Sequence, residues 1–413
     1  MTGRQRVGLG AALLGVALSQ TAVWPGDDPF EWPKVFAAAA CFLAAFALFP
    51  PRGRNWFRWP LLAPLAAYEA SFVVAILASG DWKRGLLGSE AVADGFVVIA
   101  LGSLVVLWVA GHSDAPGVGR KILGALVIGA AIAALYGIAQ RLRLDPIPWS
   151  LDDPLFAALR NRVFGPLGNP SFLGMTLSMA LPASIVLSAS RGSRAVLWWF
   201  AAIPIGIALA LTASRGGIVG AASGLVVAGV MLRGLEMPRR LWVGTGVAIA
   251  AFAVGAVWTQ TAPGTAVATR FMATHPDRGS TEARRRLAEA ALQAIPQKPL
   301  FGWGPGRADV AFREAGQNLL TAHQQANPSA HNWFLDAQLQ RGALGLFATL
   351  WVVFVTVAQR RRQPQRDLRA ASMAGLAAWF VGMMVGFSTV GPWLAAAVLL
   401  GLAIPTDAAS EAI

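Results

Sequence analysis

One histidine and three arginines stand where their side chains could do chemistry. His331 lies in Asn327-Pro328-Ser329-Ala330-His331-Asn332-Trp333-Phe334, just ahead of an apolar run. Pro and Ser there suggest a helix start, with His331 expected in the first turn. The positive end of a helix lowers an imidazole's pKa and favours the neutral form, which can act as a base. The plainer reading, an ordinary loop histidine, stands beside it. Arg284 lies in a stretch that opens on Ser280-Thr281-Glu282 and runs without Gly or Pro to Ile295, which predicts a helix with an N-cap and an acid in its first turn. At 100° per residue, Leu287, Ala288, Ala291, Leu292 and Ile295 form one face, and Glu282, Arg285, Arg286, Glu289 and Gln293 the other. Arg284 falls within the apolar face. An inward arginine is costly unless paired, so it meets either a buried carboxylate or an anionic ligand.

Arg215 sits in Thr212-Ala213-Ser214-Arg215-Gly216-Gly217, between two apolar runs. Glycines there let a ligand approach closely, and phosphate is the natural partner of a guanidinium at a membrane boundary. Snorkelling to headgroups is the alternative. Arg162 belongs to Asn161-Arg162-Val163-Phe164-Gly165-Pro166-Leu167-Gly168-Asn169-Pro170, either a plain Gly/Pro turn or a re-entrant turn that carries Arg162 over the same pocket. Other groups carry less. Glu69 and Asp94, within apolar runs, are expected to be satisfied by polar neighbours, and Asp27, Asp28 and Glu31 to form a solvated turn rather than a metal site. His112, His275 and His323 have no comparable setting. Gly302, Gly304 and Gly306 resemble part of a phosphate-binding loop, but no strand precedes them. The single Cys41 excludes a disulfide within the chain and argues against a cysteine metal site. No metal is expected.

The elements that must position these residues are membrane helices. Of 413 residues, 55% are hydrophobic and 13% charged, which excludes a soluble fold. Apolar runs predict helices near 7–24, 34–50, 59–79, 92–110, 121–140, 170–190, 195–213, 216–232, 241–259, 342–358, 370–386 and 391–405. This is an all-α, polytopic membrane protein of about 12 transmembrane helices, one membrane domain over 1–413. The N-terminal run, without an A-x-A-like site after it, is read as the first helix rather than a signal peptide. The net charge of +13 suggests nucleic acid in a soluble protein. Here the basic residues gather in one set of connectors: Arg4/Arg6, Arg52/Arg54/Arg58, Arg120/Lys121, Arg191/Arg194, Arg233/Arg239/Arg240 and Arg360, Arg361, Arg362, Arg366, Arg369. They mark the cytoplasmic side, with both termini, and nucleic acid is discounted. The opposite connectors hold few basic residues (Lys34, Lys83, Arg84, Arg215), and the long segments 141–169 and 260–341 fall there. Both face outward. Trp24, Trp32, Trp56, Trp59, Trp149 and Trp258 lie near predicted helix ends, as in an aromatic belt. A loop as long as 260–341, between helices nine and ten, calls for a functional explanation.

Four segments in order resemble the O-antigen ligase and polymerase superfamily of bacterial membrane glycosyltransferases. They are the Gly165–Pro170 turn with its Gly-Asn-Pro; Ser214-Arg215-Gly216; Thr281-Glu282-Ala283-Arg284, ending in Pro299-Leu300-Phe301-Gly302-Trp303-Gly304-Pro305-Gly306; and His331-Asn332-Trp333-Phe334-Leu335, followed by Arg341-Gly342-Ala343-Leu344-Gly345. The chain has Ala288 where the family usually has an aromatic residue, and the helical face favours Arg284 over the adjoining Arg285 and Arg286. The resemblance implies a GT-C-like enzyme without cofactor that transfers a glycan from undecaprenyl diphosphate to an acceptor sugar, inverting and metal-independent. The expected setting is the periplasmic face of the bacterial inner membrane. His331 would be the base; Arg215, Arg284 and Arg162 would meet the diphosphate; Asn332, Ser214 and Asn169 would support them. A ligase acting on lipid A core is preferred, because no appended domain is evident. A polymerase extending a lipid-linked glycan is next, then a protein O-oligosaccharyltransferase. A lipid-linked sugar transporter should show inverted repeats and mid-membrane polar residues, which the sequence does not offer. A scaffold would leave Arg284 and His331 without purpose.

Overall fold

The computed structural model describes residues 1–24, 28–51, 59–89, 92–145, 147, 162–189, 195–232, 239–261 (backbone alone at 239–241) and 281–406. Asp27, Arg52, Arg54, Trp56, Arg58, Trp149, Asn161, Arg191, Arg194, Arg233, His275 and Ser280 lie outside the described residues, as does much of 141–169 and of 260–281.

The described residues are helical. In order they form α1 (Gly3–Thr21), α2 (Trp32–Leu48), α3 (Leu62–Ser79), α4 (Trp82–Leu87), α5 (Phe96–Ala110), α6 (Val118–Arg141), α7 (Pro170–Ser188), α8 (Ala195–Leu211), α9 (Arg215–Met231), α10 (Arg239–Thr259), α11 (Thr281–Ala294), α12 (Ala308–Ala315), α13 (Ala322–Gln325), α14 (Trp333–Ala358), α15 (Arg366–Met383) and α16 (Val390–Ala403). Five are long and apolar enough to cross a membrane: α3, α6, α7, Trp242–Thr259 of α10, and α14. Five further apolar helices, α2, α5, α8, α9 and α16, are shorter.

Helix α7 is the hub. All of it beyond its first turn is buried, against α6, α8, α9, α15 and α16. Small residues make this possible: a Cβ on Gly217 of α9 would lie 2.8 Å from the backbone of Gly174 in α7. Such close approach is how apolar helices gain van der Waals contact where lipid removes most of the hydrophobic drive.

The segment from α11 to the start of α14, expected to face outward, has a core of its own. Leu287, Ala290, Ala291 and Ala294 of α11 pack with Trp303, Ala308, Ala311, Phe312, Leu320, Ala330 and Leu339. The apolar face of α11 is therefore rotated from the expected one, and Leu292 is 57% exposed. Its burial is decided by α12 and Trp303, which a helical wheel does not contain.

Two starting points also differ from expectation. Helix α14 begins at Trp333, not near 342, because Asn332 caps it; Gly342, at φ 65° and ψ −163°, then breaks it. The break frees carbonyls, which the glycine-rich segment fills. Trp303 N donates to Leu339 O at 2.8 Å and Gly304 N to Gln340 O at 2.9 Å, and Ala343 N donates to Pro299 O at 2.8 Å. Gly302, Gly304 and Gly306 thus join α11 to α14, all at positive φ. Just before the same break, buried Arg341 donates to Ser71 Oγ at 2.9 Å and Thr349 Oγ1 at 3.2 Å, between the rings of Tyr68 and Phe72. Stacking and hydroxyls replace water around it and tie α14 to α3. Helix α5 begins at Phe96 rather than 92, so Asp94 lies in the preceding turn, accepting from Ser89 N at 3.0 Å. Glu69 accepts from Ser103 Oγ. Asp28 Oδ1 accepts from the amides of Phe30 and Glu31, and Glu31 Oε2 accepts from Val390 N at 2.8 Å.

Candidate functional site

Three of the sequence motifs open helices. The Asn169 side chain accepts from Ser171 N at 2.8 Å with Pro170 at the first helical position of α7. Ser214 Oγ accepts from Gly217 N at 3.2 Å at the start of α9. Asn332 Oδ1 accepts from Phe334 N and Leu335 N at 3.1 and 3.2 Å at the start of α14, and its Nδ2 donates to Met384 O at 3.1 Å. Each cap supplies about 1 kcal/mol and, with more consequence, aims a helix N-terminus.

The ends of α7 and α9 and the residue before the α14 cap meet at one pocket of about 160 Å³. Arg162, Asn169, Ser214, Arg215, Arg284 and His331 all line it; Asn332 does not. The remaining wall includes Phe172 and Met175 of α7, Gly216 and Gly217 of α9, and Val385, Gly386 and Phe387 after α15. None of the lining residues is acidic, among those described. A helix N-terminus carries about half a positive charge. Added to three guanidiniums, this makes a site for an anion with several oxygens.

Each cation has a reason for its place. Arg162 Nε donates to Thr212 O at 2.7 Å, in the turn just before Ser214. That segment is held from behind by Gln140, whose Oε1 accepts from Phe164 N and Gly165 N, and by buried Lys34, whose Nζ donates to Pro166 O at 2.7 Å and to Phe30 O. Lys34 is thus inside the bundle rather than in a connector. Arg215 occupies the first position of α9 and donates from Nη1 to Thr281 Oγ1 at 3.3 Å, linking α9 to α11. Arg284 is half-buried and faces the pocket. Its neighbours face away: Arg285 bridges Glu282 and Glu289, and Arg286 holds Glu282. Hydrogen bonds from Arg285, then Arg286, hold the Glu282 carboxyl down at about 2.

His331 lies before the α14 cap rather than in its first turn. Its backbone is left-handed, φ 57°, as is Ala213 at φ 46°. For residues other than glycine this costs about 1 kcal/mol and persists only where surroundings enforce it. His331 N donates to Ser329 Oγ at 2.8 Å, and the ring meets Phe387 edge to face at 5.1 Å. Burial first, then the Arg284 guanidinium, push the imidazole down from its usual 6.5 to about 4. It is neutral at pH 7. Nδ1 is buried without a hydrogen-bond partner among the described residues.

Sequence reasoning missed Phe387, Phe172, Gly382 near the end of α15 and Gly386 after it, which carry no chemical signal. It also missed Lys34 and Gln140, which act through the backbone of the 164–166 turn.

Residues 199–350 match the family model described as O-antigen ligase. The match spans α8 to the first turns after the α14 break, and contains Ser214, Arg215, Arg284 and His331. No curated protein matches the chain. Over this segment, less than half of the chain, the protein is similar to the O-antigen ligase family.

Proposed function

We propose that this chain transfers a glycan from undecaprenyl diphosphate to a sugar hydroxyl of lipid A core at the periplasmic face of a bacterial inner membrane. The family match over residues 199–350 supports the coarser statement: a membrane enzyme that transfers glycosyl groups as O-antigen ligases or polymerases do. The observation that carries the finer one is a pocket that joins helix N-termini, three arginines and a neutral imidazole, with no carboxylate among its described lining residues.

In this reading the donor's diphosphate lies against Arg215, Arg284 and Arg162. The acceptor oxygen attacks the anomeric carbon as the bond from that carbon to the diphosphate oxygen breaks. The electron pair leaves with the diphosphate, whose growing charge the arginines meet. The hydroxyl proton passes to His331. One displacement inverts the anomeric centre. Fixed guanidiniums here supply the positive charge that a divalent ion would otherwise bring, so transfer is expected to proceed without one.

The lipid chain has a place to go. An almost wholly apolar cavity of about 490 Å³ lies between α3, α5, α9 and α14–α16. Trp333, two residues beyond His331, lines it, and so do Ser223 and Val227, two to three turns along α9 from Arg215. The orientation rests on charge. His331 and the Arg360–Arg362 cluster flank opposite ends of α14, whose 16 residues beyond the Gly342 break alone extend about 24 Å.

The test is an assay of purified protein in detergent with EDTA and an undecaprenyl diphosphate-linked glycan. Parallel reactions receive lipid A core or a second portion of donor. Transfer to lipid A core establishes the ligase. Lengthening of the lipid-linked glycan makes the chain a polymerase and leaves the site as assigned. No transfer in either, with activity restored by a divalent cation, overturns the metal-free mechanism.

A further inference from the structure

Asp336 lies one turn inside α14 and touches no part of the anion pocket. Its carboxylate instead reaches back over the helix start. Oδ1 accepts from Ala330 N at 2.8 Å, and Oδ2 accepts from Ser329 Oγ at 2.6 Å. The Ser329 hydroxyl in turn accepts from His331 N at 2.8 Å. One side chain therefore collects the bonds of three successive residues, of which Ser329 and Ala330 are buried, and the third is the histidine with φ 57°. A left-handed histidine is not held by its own preferences, and the ring's contact with Phe387 does not fix a backbone angle. Asp336 shares a small cavity with Asp94, Gln340 and Arg341, on the other side of Phe387 from the arginines.

We infer that Asp336 is a positioning residue: through Ser329 it locks the His331 backbone in the left-handed conformation that presents the imidazole to the anion pocket. This rests on the reading of His331 as the base. As placed, both carboxylate oxygens accept. In Asp336→Asn the oxygen can still accept from Ala330 N, but the amide NH₂ faces the Ser329 hydroxyl, which must turn from donor to acceptor, so the charge-assisted bond of the lock is lost. In Ser329→Ala the relay itself is lost, while Asp336 stays.

The experiment is hydrogen exchange read by mass spectrometry on full-length protein in detergent, over a peptide covering 329–332, with transfer kinetics on the same samples. In Asp336→Asn the amides of Ala330 and His331 are expected to exchange about tenfold faster or more. The turnover number should fall by about 10²-fold, with the donor KM within about twofold of the parent, because a displaced base leaves diphosphate binding intact. Ser329→Ala should move both readouts the same way, and the double variant should be no worse than the more damaged single one, since all three act through one chain of bonds. Ser329→Ala also serves if Asp336→Asn does not fold. Parent-like exchange and parent-like turnover in either folded variant overturn the inference. Exchange reports the lock without reference to any reaction, and His331→Ala separates the two claims. If that variant transfers at the parental rate, the base is misassigned; if it is inactive while Asp336→Asn turns over normally, only the lock is wrong.

Discussion

At the residue scale the account turns on a neutral imidazole beside a cation. Because burial and Arg284 hold His331 at about 4, the free protein keeps it unprotonated down to that pH. A lowered histidine pKa means that the folded state resists the proton. The stability it contributes is complete above the unfolded value near 6.5 and is lost as pH falls from there towards 4. For catalysis, the acidic limb of kcat/KM, which reports the free enzyme, should lie near 4 rather than 6.5. Bound diphosphate neutralises the arginines, so the limb of kcat should lie at higher pH; a pH–rate series that places both limbs together contradicts this. Arg284→Ala should cost about 10²–10³-fold in kcat, the loss typical of removing a preorganised charge partner. Arg285→Ala should change kcat little, since Arg285 faces away from the pocket and spends its bonds on Glu282 and Glu289, in solvent-screened pairs. The pocket-facing position of Arg284 was legible from helical spacing alone. The cause of the lowered pKa was not: sequence suggested a helix dipole, whereas the capped start at Asn332 leaves His331 outside the helix, among Phe387, Ser329 and Arg284.

Between helices, the connection that matters joins α11 to α14. The Pro299–Gly306 segment fills carbonyls exposed by the break at Gly342, where a Cβ would stand 2.2 Å from the backbone of Leu300. Gly342→Ala should therefore detach α11 and carry Arg284 away from Arg215. The measurable result is loss of transfer and faster proteolysis within 281–331, with the membrane helices still folded by circular dichroism. Phe312→Ala, at a fully buried position in the outward core, should destabilise the same unit by about 3–5 kcal/mol. Apolar runs located the bundle helices to within a few residues. They did not locate the first turns of α14, because Asp336, Gln338, Gln340 and Arg341 make that stretch too polar for a hydropathy window. The Asn332 cap and Gly342 together mark it, but only once the docking of the glycine-rich segment explains why a helix should break there.

For the whole molecule, one end of the bundle gathers the anion pocket and the outward core, and α14 runs from it to Arg360–Arg362. On the proposed orientation the arginine cluster is cytoplasmic, so a cysteine introduced near Gln317 should react with an impermeant thiol reagent in intact spheroplasts and one near Gln359 should not. The number of crossings is harder to read from sequence than their places, since five of the apolar helices have 17 residues or fewer, at or below the lower end of what spans a bilayer. The central claim is that His331 and the arginines transfer a glycan from a lipid diphosphate without a metal. It is tested most directly by comparing parent and His331→Ala, both purified in detergent with EDTA, for transfer from undecaprenyl diphosphate-linked glycan to lipid A core. The account predicts product from the parent and at least about 10²-fold less from His331→Ala, with donor binding retained. Equal transfer by the two proteins would contradict it.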